Sequence, residues 1–374
     1  MPKSHAKVTF SIVQIERYGN IPFSPATCLT QSIHHIHSFT FLALSDMYAF
    51  VSAWALGALL GKTLANSLPV IERNIAPRAI STDDSLTVYS IYQGAIGTWY
   101  ENLAVRANGQ ILVSRRDSPI LELIDPAGEM NSPIVVNTFS SEYAGLAGIS
   151  ETTPDVFYVI AAGNYSVFKV DMTTFAYDSS LGVVTSNATV REVTAIPEGG
   201  LLNGMTTANA SEGIVLVADS LNGWVWRLDV NTGNYSVDIN DATMKYLNTS
   251  ATHLGVNGLK IRDSYLYYSN TGNPVFSRVP IDSTGDATGA AEVVANISAV
   301  DDFAFSSSGV AFLCQNSLST LTAVVGSETK LVANSTILAG VTAGAFGRTE
   351  ADSEILYLTT KGGLFASFCS CLIV

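Results

Sequence analysis

The chain has 374 residues, of which 47% are hydrophobic and 14% charged, a composition that excludes intrinsic disorder and suffices to bury sheet faces against one another. Its formal net charge is −13, and residues 1–65, with Lys3, Lys7, Arg17 and Lys62 against Glu16 and Asp46, leave the remainder at −15. An acidic body of that size repels phosphate backbones, which excludes nucleic acid as a partner.

Residues 1–46 hold four of the five histidines (His5, His34, His35, His37) and no repeated phrase, and they read as a leader. Met47 to Ala65 contains an apolar run of about twelve residues, the length of a signal-peptide core and too short to span a bilayer. Thr63 and Ala65 are small residues spaced as a signal peptidase requires, so cleavage is expected before Asn66, leaving no stable membrane span. Translation starting at Met47, a long leader and a retained membrane anchor are the open alternatives. Residues 66–84 form an N-terminal segment, and 85–368 carry the repeats.

Six strand-turn-strand phrases start at Glu101, Ala144, Asn203, Asn257, Asp301 and Ala343, separated by 43, 59, 54, 44 and 42 positions. That period fits one four-stranded blade per phrase, so the predicted fold is an all-β, six-bladed β-propeller. Third strands follow at Ile120–Ile124, Ser166–Val170, Trp224–Leu228, Val275–Val279 and Leu318–Thr322, and variable outer strands follow these. The sixth phrase ends after Gly363–Ser367, and residues 86–91 precede the first phrase without a blade of their own. They are expected to supply the outer strand that closes the ring and removes the free sheet edges.

Seven Asn-X-Ser/Thr acceptors, at Asn164, Asn187, Asn209, Asn234, Asn248, Asn296 and Asn334, agree with a secretory or extracellular glycoprotein, although a chain rich in Asn, Ser and Thr produces some by chance. Cysteines are few: Cys28 in the leader, Cys314 in a strand, and Cys369 and Cys371 in the tail 369–374. They form no disulfide framework.

Aligning the phrases puts Glu101, Ala144, Asn203, Asn257, Asp301 and Ala343 at the start of each innermost strand, beside the axis. Glu101, Asn203, Asn257 and Asp301 would form an oxygen-only cage suited to Ca²⁺, with no Cys or His to favour zinc. The structural alternative is that these Asn and Asp residues bond local backbone, and a register slip of one would bring Asn102 and Asp302 inward instead. Asp219 reads as a turn residue. Trp99, Tyr100 and Tyr143 are placed to make an apolar rim with phenol donors, while Phe303 and Phe346 either join it as substrate-binding residues or pack between blades. His253 is four residues before Asn257, in the loop above it, and no Ser-His-Asp set is present.

The Asn-Gly-hydrophobic strand starts and the Glu, Asn, Asn, Asp order resemble the gluconolactonase and senescence-marker-like propellers over roughly residues 85–365. That resemblance implies a calcium-dependent lactonase or esterase-type hydrolase, with Ala343 and Asn257 departing from the pattern. A leader, acidic blades, sequons and a late Thr359-Thr-Lys-Gly-Gly-Leu are similar to the fungal hetero-Diels-Alderases of tropolone-sesquiterpenoid (meroterpenoid) secondary-metabolite biosynthesis. This narrower resemblance implies cycloaddition between a tropolone-derived o-quinone methide and a humulene-type sesquiterpene, both apolar small molecules. No cofactor is required on that reading, Ca²⁺ being an optional one. Tyr100, Tyr143 or His253 would then polarise the heterodiene. A non-catalytic ligand-binding propeller is the third reading.

Overall fold

The computed structural model describes residues 12–16, 86–128 and 132–362. The expected signal peptide at 47–65, the segment 66–84 and the tail 369–374 lie outside the described residues, as does all of the leader except 12–16. Within them the architecture is an all-β propeller.

The described strands form six four-stranded sheets and one two-stranded ribbon. Five of those sheets are each cut from one continuous stretch of chain, with innermost strands Tyr100–Val105, Gly145–Thr153, Leu202–Asn209, Val256–Arg262 and Val300–Phe305. Second strands return antiparallel at Ile111–Arg115, Val156–Ala162, Ile214–Asp219, Tyr265–Asn270 and Ala311–Gln315, and most of their residues are buried. The expected third strand of the fifth sheet begins late, at Thr320, because Asn316–Leu318 winds into a short 3-10 turn. The ribbon, Ala176–Asp178 with Val183–Ser186, interrupts the second sheet before its outer strand Thr189–Ala195.

The remaining four-stranded sheet is composite. Val341–Phe346 and Leu356–Thr360 come from the end of the chain, and Ile12–Glu16 and Thr87–Tyr92 complete it in that order. Thr87–Tyr92 is outermost in this sheet. Ile12–Glu16, assigned to the leader from sequence, pairs with both neighbours; Gly363–Ser367, the stretch read as the end of the sixth phrase, lies outside the described residues.

Each innermost strand packs on the next, including Val341–Phe346 against Tyr100–Val105. The close approach depends on glycine. A Cβ on Gly148 would collide with the carbonyl oxygen of Asn203, one on Gly204 with that of Asn257, and one on Gly258 with Asp302. Hydroxyls latch neighbouring sheets at the same level: Ser114 Oγ donates to the Ala147 carbonyl at 2.7 Å, Ser220 Oγ to Val256 at 2.7 Å, and Thr342 Oγ1 to Tyr100 at 2.8 Å. Between the sheets the core is apolar and aromatic, as where Phe276 and Phe303 meet edge to face at 4.9 Å.

Candidate functional site

Every innermost strand carries a β-bulge near its start. The regular register breaks between Tyr100 and Asn102, Leu146 and Ile149, Leu202 and Met205, Val256 and Leu259, Val300 and Phe303, and Val341 and Gly344. A bulge opposes extra residues to one partner and re-aims their side chains, so the bulged residues sit at one level of the ring. They are Glu101, Ala147-Gly148, Asn203-Gly204, Asn257-Gly258, Asp301-Asp302 and Thr342-Ala343. The sequence alignment therefore has Glu101, Asn203, Asn257 and Asp301 at equivalent positions. In the second and sixth phrases it is off register, since Ala147 and Thr342, rather than Ala144 and Ala343, begin the bulge.

Hydrogen bonds hold two layers. In the upper one, Asn257 Nδ2 donates to Asp301 Oδ1 at 2.7 Å and to Thr271 Oγ1 at 3.0 Å, while Asn316 Nδ2 donates to Asp301 Oδ2 at 2.6 Å. Asn203 Nδ2 turns to Ser220 Oγ at 3.3 Å within its own sheet. In the lower layer Asp302 accepts from Lys260 Nζ at 2.8 and 2.9 Å and from Asn102 Nδ2 at 3.0 Å. Asn102 and Asp302 belong to the first and fifth sheets, so this bond reaches past the sixth and fills the axis below the column.

Burial dominates the electrostatics of Glu101 and Asp301 and pushes both carboxyls up from the usual range. Their mutual proximity adds to the rise at Asp301, and Asp302 adds to it at both. Arg116, the Trp99 indole and Lys361 oppose it at Glu101; Lys361 and the Asn316 amide oppose it at Asp301. Glu101 Oε2 is buried and has no hydrogen-bond partner among the described residues. Lys361 Nζ lies 5.1 Å from the centre of the Trp99 ring.

The donor set is a poor match for Ca²⁺. Two carboxylates and two amides could present hard oxygens, but both oxygens of Asp301 already accept amide N–H groups, and a lysine and an arginine act on the same carboxylates. Among the described residues no group of three or more His, Cys, Asp or Glu side chains gathers as a metal cage would require. As built, the column does not fit the ion.

The other predicted residues are spread apart. Tyr100 is buried between the first and sixth sheets, where its hydroxyl donates to Glu122 Oε2 at 3.1 Å; burial, then the Glu122 charge, push the phenol far up. Tyr143 packs between the first and second sheets, edge-on to Phe168, with its hydroxyl on Ser166 Oγ at 3.3 Å. Phe303 is in the core between sheets, and Phe346 ends its innermost strand at the side opposite the column, against Phe312. Alternation past the bulges turns the Phe303 and Phe346 rings between sheets instead of toward the axis. Trp99 remains beside the column, and His253 is exposed in its loop at a left-handed φ of 51°, edge-on to Tyr246. Asp219 is structural: burial would raise its pKa, yet N–H groups of Asn222, Gly200 and Leu201 and the Trp226 indole win and hold it below the usual range.

Loops after the second strands meet the column face, because each second strand ends opposite the start of its innermost partner. These loops supply Arg116, Tyr165, Leu221, Leu318 and Lys361, none of which lies in the repeated phrase. Leu221 and Leu318 are exposed, as are Ile96 and Leu247 on the loops leading into innermost strands. The opposite face carries polar turns such as 106–110, 210–213 and 347–354. The column face thus carries exposed apolar side chains around a charged centre. Tyr165, half-buried with φ 50°, lies in a loop on the column face, where burial raises its phenol and the Arg116 charge opposes the rise.

No family model matches the chain. It is 28% identical over 331 residues to "Putative hetero-Diels-Alderase asR5" of Sarocladium schorii, covering 78% of this chain and 82% of that protein. It is 29% identical over 299 residues to "Putative hetero-Diels-Alderase" of a Phoma species, covering 72% and 85%. Among solved structures, the nidogen/laminin complex matches with a TM-score of 0.53 at 10% identity, over 68% of this chain and 87% of that one. A regucalcin of Agrobacterium tumefaciens matches with a TM-score of 0.47 at 13% identity, over 71% and 91%. The nidogen match shows the fold alone; in sequence, this all-β propeller is similar, over most of its length, to two proteins named "Putative hetero-Diels-Alderase".

Proposed function

We propose that the protein catalyses an intermolecular hetero-Diels-Alder cycloaddition between a tropolone-derived o-quinone methide and a humulene-type sesquiterpene. The observation that carries this reading is the similarity over 78% and 72% of the chain to two proteins named "Putative hetero-Diels-Alderase". The apolar face around the column, with Ile96, Leu221, Leu247 and Leu318 exposed, supports it, since two lipophilic partners need an apolar surface on which to be held together.

The chemistry asks little of the residues beyond orientation. Concerted formation of one C–C and one C–O bond needs no nucleophile, and holding two reactants in an attack geometry contributes up to about 7–11 kcal/mol in ideal cases. Donors aimed at the heterodiene oxygen add to that by stabilising charge developing there. Tyr165 takes this role here, replacing Tyr100 and Tyr143, whose hydroxyls are committed between sheets, while the buried Trp99 indole N–H faces Glu101. On the same reading the ring has six blades, with Ile12–Glu16 and Thr87–Tyr92 completing the last, and the protein travels the secretory route carrying N-glycans.

The test is the rate of adduct formation from a hydroxymethyl tropolone and humulene with protein and without it. Acceleration that falls in Tyr165→Phe supports the reading; a rate equal to the protein-free control overturns it for this pair. Lactone hydrolysis by the same preparation would favour a hydrolase instead.

A further inference from the structure

The column gathers carboxylates and pairs them with cations, an arrangement that goes beyond the cycloaddition reading and does not depend on it. We infer that Lys361 is the resident cation of the column, and that its ammonium, with the amides of Asn257 and Asn316, closes the Glu101–Asp301 pair to divalent ions.

Asp301 is saturated by two amide donors from different directions, Asn257 in the fourth sheet and Asn316 in the 3-10 turn of its own sheet, at 2.7 and 2.6 Å. A divalent ion would have to turn both amides over to gain their oxygens, losing those two charge-assisted bonds. Lys361 follows directly on the strand Leu356–Thr360, and its backbone N–H is fixed to the Gly340 carbonyl at 2.9 Å. Its ammonium rests over the Trp99 ring, attracts both Glu101 and Asp301, and is supported at Glu101 by Arg116. Below, Asp302 is neutralised by Lys260, so each acidic layer has a lysine of its own. A 2+ ion entering this site would find the carboxylate charge already compensated by those cations, in a poorly solvated space where displacing them is costly. Two lysines do there what a metal does in a cage of carboxylates, namely compensate buried negative charge.

Terbium luminescence sensitised by Trp99, read alongside thermal unfolding with and without calcium, tests this on the intact protein. Wild-type protein is expected to show no saturable terbium emission or calcium-dependent rise in Tm that Asp301→Asn removes. Lys361→Met is expected to gain saturable emission that Asp301→Asn abolishes in the double variant. Saturable binding by the wild type that is lost in Asp301→Asn would overturn the inference, and so would a folded Lys361→Met protein that gains nothing. Binding that survives Asp301→Asn lies elsewhere and leaves the column closed, as inferred. If Lys361→Met does not fold, Lys361→Gln takes its place, and the wild-type comparison decides on its own whether the column is closed.

Discussion

Asn257 and Asp301 occupy the same bulge position in adjacent sheets and are joined side chain to side chain at 2.7 Å, so the bond that shapes the column is also a bond between blades. Asp301→Ala would leave the Asn257 and Asn316 amides short of an acceptor, and the expected loss is about 2–4 kcal/mol, the sum of two stranded buried donors. Urea unfolding monitored by tryptophan fluorescence measures it. A loss within experimental error of zero would mean that water replaces the carboxylate at no cost.

The glycines behind the column should be less forgiving than the acids in it. Gly204→Ala would push a methyl group into the Asn257 carbonyl of the next sheet, where the obstacle is backbone and cannot swing aside. A destabilisation of about 3 kcal/mol or more is expected, on the scale of other severe core substitutions. Gly97→Ala, where nothing lies within 4 Å but φ is +96°, should cost less, and comparing the two Tm values separates collision from backbone strain.

Asp238 gives the stability a pH dependence of definite sign. Burial first, then the neighbouring Asp286 charge, push its carboxyl up to about 6 from 3.8, against the pull of Arg227. The folded state therefore holds a proton that the unfolded chain has already released, and this contribution to stability fades as pH rises from about 4 through about 6. Asp238→Asn should stabilise by about 1–2 kcal/mol above pH 7, after discounting for solvent screening, with no gain near pH 4. Denaturant midpoints across that range check it.

Glycan occupancy should be uneven. Asn164, Asn187, Asn234, Asn248, Asn296 and Asn334 are exposed, whereas Asn209 is half-buried, donates to the Ser283 carbonyl at 3.0 Å and accepts from Ser211 and Glu212. Peptide mass spectrometry of secreted protein should find Asn209 the least modified of the seven sequons.

Much of the fold was legible because blade strands announce themselves twice, by apolar content and by recurrence. Glu101, Asn203, Asn257 and Asp301 were legible for a simpler reason: bulges recur at one phrase position, so a column in the alignment is a column in space. Ala144-Gly-Leu-Ala-Gly offers two Ala-Gly pairs three residues apart, and only the pairing of Leu146 with Ala161 selects the second. Tyr100 and Tyr143 could not be aimed from sequence, because both precede the bulges and are held by partners on other strands, Glu122 and Ser166. Lys361, Arg116 and Tyr165 were invisible as a group, since they sit in loops after the repeated phrase and converge only when the ring assembles. Ile12–Glu16 gave no sign of pairing, being far in sequence from both of its partners.

The most direct measurement is the stereoisomer ratio of the ring-fused adduct, by chiral chromatography, formed from hydroxymethyl tropolone and humulene with intact protein. One dominant isomer is expected, with the ratio drifting toward the protein-free mixture in a Leu221→Asp, Leu318→Asp double variant whose Tm is unchanged. A ratio identical to the protein-free reaction would contradict the cycloaddition account.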